Sequence, residues 1–499
     1  MIHALQESGS EEYREVNGMK KWFLFLSAGF LPVLAASSQD ADRALRIGRI
    51  ENGVLPAVVV KGDPSGAWSI PGMMKTLGIP GAGLAVVLEG RIAWTKSYGL
   101  KEVKGNPVSE NTRFQAASVS KPVVALAALR LVQEGKIGLD TDANVYLKAW
   151  KVPENEFTRR EKVTLRRLLS HTGGVVSFEM DTGAAPGHVP TLLQLLKGEK
   201  PAQTGPVTVD MVPGSRFRYS NEGYSIVQQL LMDVENKPFP QIMRERVLDP
   251  LGMNDSSFEP DSASAHPDQT ASGHVGGGGP IEGKGLIYAD LAAGGLWTTP
   301  SDVARFLIAI HHSLSGAPRS VLTREIAEIM VTAQGGLGLG VKKIADDILV
   351  EANGHNSGFV CRLAGLARSG QGVVIMANSD AAIPLLSGIT FAVAKEYGWP
   401  GPVPREVAPF PLTKERLKAF TGRYVVGGNT FITISLENGD LKISHPGGED
   451  RLIPISETEF YQSLDGIKLT FLRNDRGRIH RISLMEGRLT LTKVEEKRP

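Results

Sequence analysis

The sequence is poor in cysteine and has no excess of charge of either sign. Cys361 is the single cysteine among 499 residues, so no intramolecular disulfide can form and packing alone must hold the fold. The 55 basic and 53 acidic residues nearly cancel, leaving a formal net charge of +2. A nucleic-acid partner needs a concentrated basic face, and this balance argues against one. The ten histidines show no metal-ligand spacing, so the sequence predicts neither a metal nor a cofactor.

Two common catalytic motifs are also missing. No Gly-x-Ser-x-Gly elbow occurs anywhere in the chain, which argues against an α/β-hydrolase. Residues Gly278 to Lys284 have the spacing of a phosphate-binding loop, but Gly285 follows where a serine or threonine must bind magnesium. The sequence therefore does not predict nucleotide binding.

An apolar run of 15 residues, Trp22–Ala36, follows the basic start Met19-Lys20-Lys21 and ends on small residues. This pattern predicts a signal peptide, and the run is too short for a comfortable membrane span. We predict that residues 1–36 are an upstream extension plus a cleaved signal, with export to the periplasm or medium and no membrane span after cleavage. An uncleaved anchor or a buried helix is the alternative. No cysteine stands near the cleavage region, which excludes a lipoprotein anchor.

Proline and turn residues divide the rest of the chain. A polar N-terminal segment (37–65) precedes a long segment (66–398) of alternating helical and strand-like patterns. Prolines crowd the next stretch (399–412) and predict a stiff, extended linker. Short alternating strands with tight turns fill 413–499, so we predict a small all-β, lipocalin-like barrel there. We expect this barrel either to restrict substrate access or to serve stability or oligomer contact.

The long segment begins with two clear local signals. Ala85–Leu88 and Arg91–Trp94 flank Glu89-Gly90, which predicts a hairpin. Apolar spacing predicts a helix from about Val119 to Glu134, and Gly135 stands where a glycine should end it.

Ser118 and Lys121 stand three residues apart at the start of this helix, so their side chains share one face. A serine hydroxyl is a weak nucleophile until a neighbouring group takes its proton. A lysine can do so when burial or a nearby cation lowers its pKa. The helix N-terminus adds a positive field and N–H donors where an oxyanion would form. Alone the motif is weak, because an N-cap serine beside an exposed lysine gives the same pattern.

The segment Phe114–Pro122, which contains both residues, resembles the active-site segment of the class C β-lactamase and D-aminopeptidase superfamily. That superfamily also holds penicillin-binding DD-peptidases and family VIII carboxylesterases. The resemblance covers most of residues 78–392. It implies an α+β fold, the β-lactamase/transpeptidase-like antiparallel sheet flanked by helices with a helical subdomain, ahead of the C-terminal barrel. The other matching segments are Gly78–Gly81, Tyr98-Gly99, Leu168–Gly174, Asp249–Met253 and Gly294–Leu296.

The tripeptide Tyr219-Ser220-Asn221 matches the second motif of the superfamily. The resemblance implies that Tyr219 faces the nucleophile, where a phenol can carry a proton to the leaving group. It also implies that Asn221 binds Lys121 or a substrate carbonyl. A tyrosine packed in a turn before a helix is the structural alternative.

The third motif of the superfamily, Lys-Thr-Gly or His-x-Gly on the edge strand lining the site, matches best at Gly354–Phe359. His355 would stand at the lysine position. Ser357 or Gly358 would give the second oxyanion N–H, beside the first from Ser118. The segment is shorter than in relatives, so His355 is alternatively a loop histidine with a structural hydrogen bond.

The resemblance implies hydrolysis by acyl transfer in two steps, without metal or cofactor. A histidine at the lysine position removes the positive charge that would face a substrate carboxylate. This favours an uncharged ester or amide, and we predict a carboxylesterase. The alternatives are a β-lactamase, a D-aminopeptidase or DD-peptidase, and a non-catalytic sensor of the penicillin-binding type. The expected partner is a small-molecule ester, amide or β-lactam, and a homo-oligomer is left open.

Overall fold

The computed structural model describes residues 40–63, 67–178, 182–185, 187–260, 262–276, 279–333, 335–426, 430–445, 448–484 and 489–494. The predicted signal peptide lies outside the described residues. The helices are α1 (40–51), α2 (Ile70–Leu77), α3 (Ser120–Gln133), α4 (Glu156–Arg160), α5 (Leu165–Leu169), α6 (Leu192–Lys197), α7 (Asn221–Glu235), α8 (Phe239–Met243), α9 (Asp249–Leu251), α10 (Ser262–Ala265), α11 (Leu291–Gly294), α12 (Pro300–Ser315), α13 (Arg324–Thr332), α14 (Ile383–Glu396) and α15 (Lys414–Lys418).

The strands form a central sheet, a barrel and two small sheets. They are β1 (Val58–Val60), β2 (Gly81–Leu88), β3 (Arg91–Gly99), β4 (Phe114–Gln115), β5 (Trp297–Thr298), β6 (Gly340–Ile344), β7 (Asp347–Asn356), β8 (Phe359–Leu366), β9 (Gln371–Ala377), β10 (Arg405–Val407), β11 (Gly422–Val426), β12 (Thr430–Glu437), β13 (Asp440–His445), β14 (Gly448–Pro454), β15 (Glu459–Gln462), β16 (Lys468–Arg473), β17 (Ile479–Leu484) and β18 (Leu489–Lys493).

The central sheet has six antiparallel strands in the order β3-β2-β9-β8-β7-β6. Its inner strands are apolar on both faces because each face covers a separate core. In β2, Ala85 and Val87 pack into the core that contains the long helices, whereas Leu84 and Val86 pack into a second core with α2 and α14. This alternation is what a strand with a period of two requires. The predicted α+β fold and the predicted hairpin are confirmed.

Helix α3 is buried along almost its whole length, which explains why its sequence is apolar on every side. A short 3₁₀ turn, Ala117–Val119, leads into it. Gly135 follows the helix with a φ of 69°, the left-handed conformation that glycine adopts without steric cost. The predicted helix is thus confirmed, and its N-terminus is held inside the first core.

The C-terminal region forms a closed barrel of eight antiparallel strands, β11 to β18 in sequential order. Its interior is filled by apolar side chains, including a cluster of Phe420, Phe460 and Phe471 with ring centroids 4.7 to 5.3 Å apart. The predicted all-β barrel is confirmed. Because aromatic rings occupy its centre, the interior is a packed core, as small eight-stranded barrels allow.

The barrel is joined to the N-terminal segment. The backbone N–H of Val58 donates to Ser463 O at 2.9 Å, and Ala57 N–H donates to Leu464 O at 3.2 Å. Leu464 also packs against the second core, on the sheet face opposite α3. These contacts favour the stabilising role of the barrel over the access-restricting one.

The proline-rich linker differs from the prediction in one respect. Arg405–Val407 within it form a strand, β10, that pairs in parallel with β1. Its prolines flank this short strand, so the backbone N–H groups inside it remain able to donate. The N-terminal segment, which the sequence left without assigned structure, supplies β1 and helix α1.

Candidate active site

Ser118 lies in the 3₁₀ turn that leads into α3 and is half-buried. The residue before it, Ala117, has a φ of 48°, a left-handed conformation that is costly for a residue with a Cβ. Such strain persists only where surrounding contacts hold it, and it is frequent at functional sites. Here it turns the backbone so that the Ser118 side chain is reached by groups from two other elements.

Lys121 is one turn further along α3 and is only 2% exposed. Its Nζ donates to Ser118 Oγ at 2.9 Å and to the backbone O of Ala293, in α11, at 2.8 Å. The same Nζ lies 4.9 Å from the ring centroid of Tyr219 and 5.6 Å from that of Tyr224. The sequence-predicted pair is therefore in contact, and a carbonyl and two aromatic rings fix the position of the amine.

Tyr219 reaches the same serine oxygen from the segment before α7. Its hydroxyl donates to Ser118 Oγ at 2.7 Å, and its side chain is 42% exposed. The preceding residue, Arg218, anchors this segment by hydrogen bonds to Asp210 and to the backbone oxygens of Gly174 and Val175. The tyrosine is thus held over the nucleophile, and part of it is open to solvent.

His171 supports Tyr219 from behind. Its ring lies against the Tyr219 ring with centroids 4.4 Å apart, and its Nδ1 accepts the N–H of Ser220 at 3.2 Å. Burial, with a smaller effect from Lys121, lowers the pKa of His171 to about 3. Since Nδ1 is an acceptor, the neutral ring carries its proton on Nε2. The imidazole therefore orients the tyrosine segment as a neutral group.

Two asparagines in the predicted motifs have different surroundings. Asn221 is the first residue of α7 and is half-buried. The acceptors of Lys121 Nζ are Ser118 and Ala293, so the predicted bond from Lys121 to Asn221 is not formed among the described residues. Asn356, at the end of β7, instead donates from Nδ2 to Gln115 Oε1 at 2.9 Å and to Gly294 O at 3.1 Å. This buried amide ties the third motif to α11.

The third motif forms the tight hairpin between β7 and β8. His355 lies near the end of β7, next to the turn. Glu351 is the last residue of β7 that pairs with β6, so His355 has no β6 partner on that side, and its side chain is 57% exposed. The Gly358 N–H donates to the Asp380 carboxylate. That bond uses the N–H and does not support Gly358 as an oxyanion donor. Ser357 lies in the same turn, and its predicted role stays a prediction.

Gly354 is a functional position to which sequence reasoning gave no role. A Cβ at this position would lie 2.1 Å from Ala116 O and 3.1 Å from Ser118 N. No side chain larger than hydrogen fits between β7 and the turn that carries the nucleophile. An isolated glycine inside a strand pattern is the signal that could have indicated this close approach.

Asp380 was also missed, because it is distant in sequence from every motif. It begins a 3₁₀ turn, Asp380–Ala382, which follows β9 after Asn378 and Ser379. Its Oδ1 is 3.6 Å from Nε2 of His355. The sheet order brings β9 close to β7 through β8, and nothing in the local sequence shows that proximity.

Two further findings apply to the described part of the chain. No group of three or more histidine, cysteine, aspartate or glutamate residues there could hold a metal ion. No helix within the same ranges is long and apolar enough to cross a membrane.

Comparison with known proteins gives one family match and several relatives. A family model described as Beta-lactamase matches residues 69–394. Penicillin-binding protein 4 of Amycolatopsis lactamdurans is 30% identical over 186 residues, which are 37% of this chain and 46% of that protein. The chain covers less than half the length of the curated relatives that it matches.

Two solved structures share the fold. The octameric penicillin-binding protein homologue from Pyrococcus abyssi has a TM-score of 0.58 at 22% identity and covers 84% of this chain and 97% of its own. The D-amino acid amidase from Ochrobactrum anthropi SV3, complexed with L-phenylalanine amide, has a TM-score of 0.52 at 20% identity and covers 66% of this chain and 97% of its own.

Proposed function

The chain belongs to the beta-lactamase family, since the family model covers most of its length, and on that premise we propose that it is a serine hydrolase acylated at Ser118. One observation carries the proposal. The Ser118 hydroxyl oxygen lies within hydrogen-bond distance of both an amine, Lys121 Nζ at 2.9 Å, and a phenol, Tyr219 at 2.7 Å. A hydroxyl with two proton-transfer groups on its oxygen meets the requirement for an activated nucleophile.

The proposed reaction has two steps. Ser118 Oγ attacks the substrate carbonyl while its proton passes to the Lys121–Tyr219 pair, and the carbonyl oxygen becomes an oxyanion at the Ser118 N–H. The C–O or C–N bond then breaks as the pair returns the proton to the leaving group. Water then attacks the acyl carbon and gives its proton to the pair, and the pair passes this proton to Ser118 Oγ as the bond between Oγ and the acyl carbon breaks, which releases the acid and restores the serine. General acid–base transfer of this kind contributes about 10²–10⁴-fold in rate.

Esters and small amides are the substrates that the site supports best. His355 of the third motif lies beside Asp380, and no lysine or arginine among the described residues forms an ion pair with Asp380. A substrate carboxylate would therefore meet a carboxylate rather than a fixed cation. This favours carboxylesterase activity, as the sequence predicts, over β-lactamase or DD-peptidase activity. D-aminopeptidase activity is the second candidate. It is favoured by the negative charge of Asp380, because a carboxylate attracts the protonated amino group of an amino-acid substrate.

Labelling with a fluorophosphonate probe tests the proposal against the sensor alternative. We expect one probe per chain by intact mass, located on Ser118 by peptide mapping. Ser118→Ala should abolish labelling, whereas Ser215→Ala, an exposed serine in the segment before Tyr219, should retain it. An unlabelled wild-type chain, or a label on Ser120, would contradict the assignment.

Export and assembly are further proposals. Expression of the full gene with mass determination of the mature N-terminus tests the signal peptide and the periplasmic or secreted location. Light scattering of the purified chain tests whether it forms a homo-oligomer; the Pyrococcus abyssi homologue is described as octameric.

A further inference from the structure

A pocket of about 360 Å³ lies between Arg113, the residue before β4, and the segment 244–266. This volume is within the range of about 300–1,000 Å³ that is usual for small-molecule sites. Of the described residues that line the pocket, none belongs to the Ser118–Lys121–Tyr219 group. The lining is mostly polar and includes two arginines and three serines: Arg113, Arg244, Ser256, Ser257 and Ser262. The pocket is therefore suited to a polar ligand at a place other than the nucleophile.

Arg113 is the most buried charged group of this pocket, with a side chain that is 7% exposed. Its Nε has no hydrogen-bond partner among the described residues, and its Nη2 lies 3.9 Å from Asp255 Oδ1, too far for a hydrogen bond. Burial lowers the pKa of this guanidinium, and Asp255 and Asp302 oppose that effect. Arginine nevertheless keeps its charge at physiological pH. Because a buried charge without a partner is costly, this cation needs an acceptor.

The backbone around Arg113 is held on both sides. Its N–H donates to Gln269 O at 2.7 Å, and its carbonyl oxygen accepts the Ala271 N–H at 3.0 Å. The strand that follows, β4, pairs with β5. The segment that carries the guanidinium is therefore preorganised, and a ligand that binds there gives up little affinity to the ordering of this backbone.

Two more donor groups line the same pocket. Ser262 is 1% exposed, and its Oγ has no hydrogen-bond partner in the described part of the chain. Arg244 follows α8 directly, and its Nη2 is 3.8 Å from Glu259 Oε1, again beyond hydrogen-bond length. The pocket thus combines two guanidinium groups and a hydroxyl, a set of donors that suits an acceptor-rich group.

The acidic groups at this pocket are more exposed than Arg113. Asp249 is exposed, and the side chains of Asp255 and Glu259 are partly exposed. Solvent and salt screen charges at such positions more than they screen a buried charge. His266, the other titratable residue of the described lining, is also exposed. The buried part of the pocket is therefore electropositive, which favours an anionic ligand over a cationic one.

We propose that this pocket binds a small oxyanion, a phosphate or carboxylate group, through the guanidinium of Arg113 with further bonds from Arg244 and Ser262. The planar fork of an arginine presents paired N–H donors whose spacing matches two oxygens of such a group. Hydrogen bonds in which both partners are charged are among the strongest polar contacts in proteins. The proposal does not depend on acylation at Ser118.

Isothermal titration calorimetry of the full chain tests the proposal with two probes, inorganic phosphate and succinate, at an ionic strength kept constant with chloride. We expect saturable binding of at least one probe with a Kd of about 1 mM or lower. The probe that binds more tightly shows which oxyanion the pocket prefers. If neither probe binds saturably in this range, the proposal is overturned.

Variants of the lining locate the bound anion. Arg113→Lys keeps the positive charge but loses the fork, so it should raise the Kd by about 10-fold or more. Arg244→Gln and Ser262→Ala should each raise it by about 3-fold or more, because each removes one donor. Arg324→Gln removes an exposed arginine at the start of α13 and should keep the wild-type Kd. Wild-type affinity in all three variants of the lining would overturn the proposal.

Binding at the nucleophile is the competing explanation for any anion that the chain takes up. Ser118→Ala changes that site and should keep the wild-type Kd for the anion. A Kd that rises in Ser118→Ala and not in the variants of the pocket would place the anion at the nucleophile and overturn the proposal. Arg244→Gln alters an exposed side chain and Ser262→Ala a single hydroxyl, so these two variants decide the question if Arg113→Lys does not fold by circular dichroism.

Discussion

Replacement of His171 by asparagine should remove a large part of the acid sensitivity of the fold. The ring is held neutral against Tyr219, and its pKa is lowered from 6.5 to about 3, first by burial and then by Lys121. Because the unfolded chain binds the proton more readily, stability is full above pH 6.5 and is lost as the pH falls toward 3. Asparagine suits the site because its Oδ1 can accept the Ser220 N–H and because it tolerates the φ of 57° at this position.

The size of the effect follows from the two pKa values. A pH of 5 is about 1.5 units below the pKa of the histidine in the unfolded chain. Protonation of the unfolded chain there lowers the free energy of unfolding by about 2 kcal/mol relative to its value at neutral pH. Urea unfolding, followed by tryptophan fluorescence at pH 7.5 and pH 5.0 at equal ionic strength, measures this difference. On going from pH 7.5 to pH 5.0, the free energy of unfolding of the wild type should fall by about 2 kcal/mol more than that of His171→Asn.

A neighbouring substitution controls for altered packing. Phe217 is 60% exposed and touches the His171 ring at a centroid distance of 5.8 Å, so Phe217→Leu disturbs the same cluster but leaves the imidazole in place. It should retain the acid sensitivity of the wild type. If His171→Asn loses as much stability as the wild type on acidification, His171 is not the neutral buried group described above.

Four further outcomes are expected. Ser118→Ala should lower ester turnover by ~10³-fold or more, and a residual tenth of wild-type activity would refute its role. Lys121→Ala and Tyr219→Phe should each lower ester turnover by ~10²-fold or more. Because both groups act on one serine proton, the double variant should be little less active than the poorer single variant, and losses that multiply in steady-state kinetics would contradict this. Asp450→Asn should make the melting temperature of the barrel less dependent on pH between 4 and 8. Burial raises the pKa of this carboxyl to about 7, so the wild type loses stability as the pH rises through that value, and an unchanged pH dependence in the variant would contradict this. Truncation after Trp399 should lower the melting temperature while short p-nitrophenyl esters are still cleaved with the same order of acyl preference, whereas a changed order would restore the access-restricting role of the barrel.

The parts of the fold that could be predicted from sequence depend on local signals. Helix α3 shows its start, its apolar spacing and its terminal Gly135 within one short segment, and the barrel shows a turn signal such as Asn438-Gly439 between alternating runs. Family motifs located Ser118 and Tyr219 in the same way. In each case the residues that specify the feature are neighbours in the chain or belong to a recognisable motif.

The remaining features depend on contacts between distant parts of the chain. Asp380 reaches His355 only because β8 and β9 place the two beside each other, and Gly354 is required only because β7 passes the nucleophile turn. The acceptor of Lys121 in α11, the carbonyl of Ala293, is a backbone atom that no side-chain pattern reveals. Cross-strand register and backbone acceptors are set by the whole fold, and sequence motifs do not encode them.

The parallel pairing of β1 with β10 has a consequence for synthesis of the chain. Val58–Val60 pair with Arg405–Val407, which leave the ribosome about 350 residues later, a delay of ~20–70 s at the usual rates of elongation. During that interval the three valines lack the partner strand that they have in the finished fold, and an unpaired strand edge is the kind of edge that associates with other chains. Lys61 and Asp63 follow the valines directly and are exposed, and charges in that position oppose such association. Substitutions that neutralise Lys61 and Asp63 should therefore lower the yield of folded protein at high expression levels. The stability of the protein that does fold should change comparatively little.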